Sequence, residues 1–151
     1  MKNYIQKTCL TIHIILSLML TCSVSVAAAE DLSSARLIEQ VIAVTKAQNK
    51  VLMHNSTMAD AEYLFTLYSD DFIYVHEAYG GEYSKVHLYK NTVKYLKSGG
   101  YNKVEDRYSI VSYLAGLNTV AVQRKESSGV IHLAVFEFDG DKVSKITEYW
   151  Q

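Results

Sequence analysis

VIHLAVFEFDGDKVSKITEYW, residues Val130 to Trp150, reads as an apolar strand, a turn, and an amphipathic strand that ends in an aromatic pair. Asp139-Gly140 between two such runs is the strongest short-range hairpin signal a sequence offers, because glycine enters the left-handed backbone region that tight hairpins demand. Outward from this pair, Val104 to Leu114 and Thr119 to Arg124 are also strand-like. Gly116-Leu117-Asn118 links the first to the second, and Ser127-Ser128-Gly129 links the second to the closing hairpin. The last third of the chain is therefore expected to be a meander of four strands.

The chain before it is mostly helical in pattern. From Asp31 to about Asn55, Leu37, Val41, Val44, Val51 and Leu52 recur near helical spacing, and Asp31 or Ser33 can accept from the free amides at the start. Gln48, Asn49 and Lys50 suggest that the far end of this helix is the wetter one. Thr57 to Asp60 restarts a helix with capping-box spacing, carrying Ala61, Leu64, Phe65 and Tyr68, and Asp70-Asp71 is read as its end. Phe72 to His76 then favours a strand, with Phe72, Tyr74 and His76 on one face. Gly80-Gly81 turns the chain toward Ser84, the cap of a third helix bearing Leu88, Tyr89, Thr92, Val93 and Leu96, and Gly99-Gly100 stops it. Strands that follow one another after the helices predict an α+β fold: a curved antiparallel sheet packed on three helices. Curling of that sheet would make a cone lined by the inward strand residues.

Composition sets the class and the compartment. With 151 residues, 49% hydrophobic and 21% charged, the chain suits one globular domain with a real core. Residues 1–29 differ: Lys2 and Lys7 precede an apolar run from Leu10 to Leu20, and Val26 to Ala29 supplies small residues ahead of Glu30-Asp31. This is the layout of a secretory signal peptide cleaved between Ala28 and Glu30, leaving a domain at 30–151 that is periplasmic or secreted. A membrane anchor would need roughly 18 unbroken apolar residues, and His13, Ser17, Thr21 and Ser23 interrupt this run. Lipid anchoring at Cys22 is disfavoured by the bulky Thr21 before it. Both cysteines, Cys9 and Cys22, lie in the leader, so the mature chain offers no disulfide and no thiol chemistry. Without Lys2 and Lys7 it carries 13 basic against 16 acidic side chains, a scattered net −3 that argues against nucleic acid as a partner.

Taken in order, the two opening helices, the Asp70 to His76 strand, Gly80-Gly81 with the Ser84 helix, and Phe138 to Val143 through Glu148-Tyr149-Trp150 resemble the nuclear transport factor 2-like superfamily, in particular its SnoaL-like branch. The resemblance spans nearly all of the mature chain. It implies an α+β cone of the nuclear transport factor 2-like, cystatin-like kind and homodimers through the outer sheet face. It also implies functions that range from isomerases and polyketide cyclases to non-catalytic binding modules, so it fixes the fold and not the activity. Catalytic relatives resemble one another in placing a carboxylate or histidine in an apolar pocket, where desolvation suits it to proton abstraction.

His76, at the mouth end of the first strand, and Glu137, between Phe136 and Phe138, are the catalytic candidates on that ground. Tyr74, Tyr113, His132, Glu148, Tyr149 and Trp150 are the ligand-lining candidates: Glu148 lies between Ile146 and Trp150 on one face, and His132 shares a face with Ala134 and Phe136. Against each stands a bland reading, since most carboxylates are solvated and lone histidines or tyrosines among apolar residues usually belong to the core. Asp106, Arg107 and Arg124 are explained by cross-strand ion pairs. No metal and no cofactor is expected: His76, Glu77 and His87 lack the local spacing of a zinc motif, and no phosphate loop or nucleophile elbow occurs. Three functions stay open. One is an exported domain with a pocket for a small, largely apolar molecule; another is a proton-transfer enzyme of isomerase, cyclase or hydrolase type using His76 or Glu137; the third is a non-catalytic homodimeric interaction module.

Overall fold

A computed structural model describes residues 32–150; the signal-peptide reading of residues 1–29 lies outside them. Three helices, α1 (Ser34–Leu52), α2 (Met58–Thr66) and α3 (Lys85–Lys97), pack on one face of a six-stranded sheet. Its strands are β1 (Tyr68–His76), β2 (Gly81–Ser84), β3 (Tyr108–Gly116), β4 (Thr119–Glu126), β5 (Ile131–Asp139) and β6 (Lys142–Tyr149), in the order β2-β1-β6-β5-β4-β3. The sheet is curved and unclosed. Four of its pairings are antiparallel, while β1 runs parallel to β6 and joins the helical half of the chain to the meander. Register shifts in the β1–β6, β3–β4 and β5–β6 pairings add the local twist that wraps the sheet around the helices.

Local chemistry explains the element boundaries. Ser33 caps α1 by accepting from the Arg36 amide, and Leu37, Val41, Val44, Ala47 and Val51 form its buried stripe. Thr57 and Asp60 form a reciprocal capping box at the start of α2. Ser84 caps α3, a rim helix in which Thr92 alone is fully buried. In the closing hairpin Asp139 faces Lys142 across the loop Gly140-Asp141, and Gly140 takes φ +55°, which an L side chain adopts only at a cost.

Three sequence expectations shift. The helix α2 ends at Thr66, and Asp70-Asp71 lie inside β1, because the ladder with β6 captures the chain as early as Tyr68, opposite Val143. Residues 81–84, read as turn and cap, form a short edge strand on β1. The far end of α1 is not the wet end at Asn49, which is only 3% exposed. Its side chain donates to the Tyr108 carbonyl at 2.8 Å and accepts from the Tyr108 amide at 2.9 Å, clamping α1 to the edge strand β3. Asn49→Ala leaves both backbone groups buried without partners, at about 1–3 kcal/mol each. Denaturant unfolding is expected to show a loss of at least about 2 kcal/mol, with Asn49→Asp, which keeps the acceptor alone, falling between.

Candidate functional site

Alternation along three neighbouring strands aims polar groups at one point inside the curl. On β4, Val120, Val122 and Arg124 face inward; on β5, His132, Ala134 and Phe136; on β6, Ile146 and Glu148. Cross-strand register then sets Arg124 opposite His132 and Ala134 opposite Glu148. The result is an ion pair between Arg124 and Glu148 whose side chains are 0% and 3% exposed.

Each charge is supported from several directions. One guanidinium nitrogen of Arg124 donates to Glu148 Oε1 and another to Gln48 Oε1 of α1 at 2.7 Å, while its plane lies 4.2 Å above the Tyr108 ring. Glu148 Oε2 accepts from the Tyr74 hydroxyl at 2.7 Å and from the Trp150 indole N–H at 3.1 Å. His132 Nε2 lies 3.8 Å from Oε1, outside hydrogen-bonding distance. Burial alone would raise the Glu148 pKa, but the electrostatic pull of the His132 ring nitrogen facing it at 3.8 Å, the Arg124 charge and the Tyr74 hydroxyl outweigh it and hold the carboxyl down at about 2. Glu148 is thus ionised at any physiological pH, which suits an anchor and not a proton acceptor.

A cavity of about 180 Å³ opens between this pair and the helices. Val51 and Leu52 of α1, Leu64 and Phe65 of α2 and Leu88 of α3 make its apolar wall, and Gln48, Tyr68, Tyr74, Tyr108, Arg107 and Glu148 give it polar points. The phenols are neutral. Burial raises Tyr68 and Tyr74, and burial with the nearby Glu148 charge pushes Tyr108 up to about 12 against the pull of Arg124. Because the Tyr74 proton is committed to Glu148, its oxygen is left as an acceptor. Tyr68 accepts from Gln48 Nε2 at 3.1 Å and keeps its own O–H to donate.

The candidate residues separate cleanly. Tyr74, His132, Glu148 and Trp150 converge on this point, and His76 sits beside it, its ring stacked with Trp150 at 5.7 Å without lining the cavity. Glu137 points out of the opposite sheet face, where it pairs with Lys145 at 3.5 Å with both side chains over 40% exposed. The flanking Phe136 and Phe138 face inward, so alternation puts the residue between them outside. Tyr113 and Tyr149 are exposed, at 51% and 44%. Sequence reasoning missed Arg124, Tyr108, Tyr68 and Gln48. The signal for Arg124 was its phase with Val120 and Val122, which demands a buried counter-charge; Glu148 supplies it from β6, across the intervening β5. The ion pairs expected for Asp106, Arg107 and Arg124 resolve into Arg107 with Glu126, at 2.7 Å, and Arg124 with Glu148. Among the described residues no group of three His, Cys, Asp or Glu side chains could hold a metal ion.

The depressed pKa fixes the direction of a pH effect. A carboxyl at about 2 in the folded chain, against an ordinary 4.5, stabilises the fold above about pH 4.5, and that stabilisation is lost as pH falls toward 2. The two values correspond to about 3 kcal/mol. A pH series of denaturant melts is expected to show this acid limb in the wild type and to lack it in Glu148→Gln. Arg124→Met, which strands the carboxylate, is expected to cost about 3–5 kcal/mol at neutral pH, more than the joint Arg124→Met, Glu148→Leu replacement.

No protein-family model and no curated protein matches the chain. Solved structures do. A SnoaL-like protein of unknown function from Burkholderia thailandensis superposes with TM-score 0.59 at 18% identity, over 81% of this chain and 99% of that one. An NTF-2-like protein of unknown function from Burkholderia xenovorans gives 0.56 at 18% identity, over 78% and 84%. An LEH-like epoxide hydrolase from M. tuberculosis gives 0.60 at 14% identity, over 78% and 84%. With its curved, unclosed sheet wrapped on three helices, this chain has the nuclear transport factor 2-like fold in the form shared with SnoaL-like proteins.

Proposed function

We propose that the chain is an exported binding domain that holds a small, largely apolar, uncharged molecule in the cavity between α1, α2, α3 and the inner sheet face. The observation that carries this reading is the cavity's chemistry: an apolar wall, neutral phenols, and two charges that are already paired, Glu148 with Arg124 and Arg107 with Glu126. A charged ligand would meet no free counter-charge at that carboxylate, whereas a carbonyl or hydroxyl fits the free Tyr68 O–H and the Tyr74 oxygen. The volume of about 180 Å³ suits a molecule of about one ring, since an apolar cavity of about 150 Å³ takes up benzene. Export rests on the leader pattern of Lys2, Lys7, Leu10 to Leu20 and Ala27 to Ala29. Among the described residues no helix is long and apolar enough to cross a membrane.

A proton-transfer reading draws on His76 alone, whose buried Nδ1 has no hydrogen-bond partner. The two readings part in one experiment. A panel of ring-sized ketones, phenols and lactones is expected to contain members that raise the melting temperature, by about 2.7 kcal/mol of stabilisation at a hundredfold excess over Kd. Leu88→Phe, which fills the cavity, is expected to abolish the rise, and a flat response of the wild type across the panel defeats the binding reading. Product formation from a panel member that His76→Ala removes would replace it with the enzymatic one.

The outer sheet face supports a homodimer as a second role. Register aligns Leu114, Ala121 and Val135 in one row and Leu133 beside Tyr149 in the next, and Leu114, Leu133 and Tyr149 are 76%, 40% and 44% exposed. An apolar patch of this kind on a twisted sheet marks an interaction surface. Sedimentation at micromolar concentration is expected to give a dimer that Leu133→Glu dissociates; a wild-type monomer sinks this role.

A further inference from the structure

Trp150 lies one residue past the last ladder pair of β6, Leu133 with Tyr149, so its position is set by its side chain and not by strand pairing. The strands on either side of β6 each bring a histidine ring parallel to that indole, His132 from β5 and His76 from β1. The His132 ring stacks on it at 3.9 Å with 13° between planes, and the His76 ring at 5.7 Å with 1°. At its edge the N–H donates to buried Glu148. Tyr79, 82% exposed, stacks on His76 at 4.2 Å and carries the row of rings out to solvent. Two flanking planes with one buried acceptor at the edge is how a protein recognises a flat aromatic ligand.

The polar groups around the indole are incompletely matched. His132 is buried to 2% exposure with neither ring nitrogen hydrogen-bonded, and His76 Nδ1 is likewise buried without a partner. The single polar atom of the indole is already committed to Glu148, so Trp150 satisfies none of them.

From this we infer that Trp150 is the internal occupant of a second site, distinct from the 180 Å³ cavity, none of whose lining is supplied by His76, His132 or Trp150. Its external ligand is a planar heteroaromatic molecule with an N–H at the edge, which displaces the indole, stacks between His76 and His132 and donates to Glu148. Occupancy by Trp150 keeps the site closed in the free protein and lowers the apparent affinity by the fraction of time it is open. The site stands whether or not the neighbouring cavity binds anything.

Trp150 is the sole tryptophan of the chain, so its fluorescence reports this site alone. Benzimidazole is a suitable probe, being planar, carrying an edge N–H, and transparent at the red edge of tryptophan absorption. Titrated into the wild type, it is expected to shift the Trp150 emission saturably to longer wavelength as the indole enters water. Calorimetry is expected to show Trp150→Ala binding benzimidazole at least about tenfold more tightly than the wild type, for want of the competitor. 1-Methylbenzimidazole, which has no N–H, is expected to bind that variant about tenfold more weakly. Unchanged wild-type emission up to the solubility limit of the probe, or equal affinity for wild type and variant, means that Trp150 only packs the core and overturns the site. Equal binding of the two probes overturns recognition by Glu148. Should Trp150→Ala fail to fold by circular dichroism, Trp150→Phe takes its place: it keeps a ring but loses the bond to Glu148, and the same tighter binding is required of it.

Discussion

A charge pair sealed from water constrains everything around it. Arg124 and Glu148 come from β4 and β6, two strands that do not touch, with β5 between them. Their contact therefore depends on the register of two successive hairpins. Burying either charge alone would be prohibitive; Gln48, Tyr74 and Trp150 add hydrogen bonds that make the pair tolerable, with only Arg124 Nε of the guanidinium left without a partner. A slip of one residue in either hairpin would turn one partner to the solvent face and leave the other unpaired inside. The pair stabilises little relative to an apolar core, but it penalises wrong registers heavily.

The same pair organises the interior into two compartments. On the helix side, Gln48 and Tyr68 extend the network into an apolar cavity whose wall is made by α1, α2 and the rim helix α3. On the strand-end side, Glu148 holds the indole of Trp150 between His132 and His76. Glu148 is the shared element, and its ionised state gives both compartments a fixed acceptor that does not change with physiological pH. Burial keeps the cavity phenols Tyr68, Tyr74 and Tyr108 in their neutral forms, so they act as dipoles, while the two charges of the lining, Arg107 and Glu148, are each paired, with Glu126 and Arg124.

Much of this fold was legible in the residue pattern. Capping residues Ser33, Thr57 and Ser84, the apolar stripe of α1, and the Asp139-Gly140 hairpin signal are local features, and each marks an element where it stands. The resemblance to the nuclear transport factor 2-like superfamily, carried by the order of those elements, agrees with the solved structures that superpose on the chain. Legibility failed where tertiary contacts overrode local preference. Asp70-Asp71 resembled a helix stop but lies in β1, because pairing with β6 begins at Tyr68. Asn49 looked like a wet residue but is a buried clamp, because only the approach of β3 supplies two backbone groups for it to satisfy. Alternation correctly turned His132 and Glu148 inward, yet flanking phenylalanines drew attention to Glu137, which the same alternation turns outward.

The sequence by itself determined the elements, their order and the faces they present, since periodicity, capping and turn chemistry act over a few residues. It also determined that the chain past residue 29 has no thiol and carries more acidic than basic side chains, 16 against 13. Only the tertiary structure decided which inward residues meet. Arg124 with Glu148, Gln48 with Tyr68, and Trp150 with His132 and His76 join positions from 18 to 74 residues apart through strand register and sheet curvature. Those distances in space are long-range quantities with no local signature. That is why the site emerged from the packing of the cone and not from any motif along the chain.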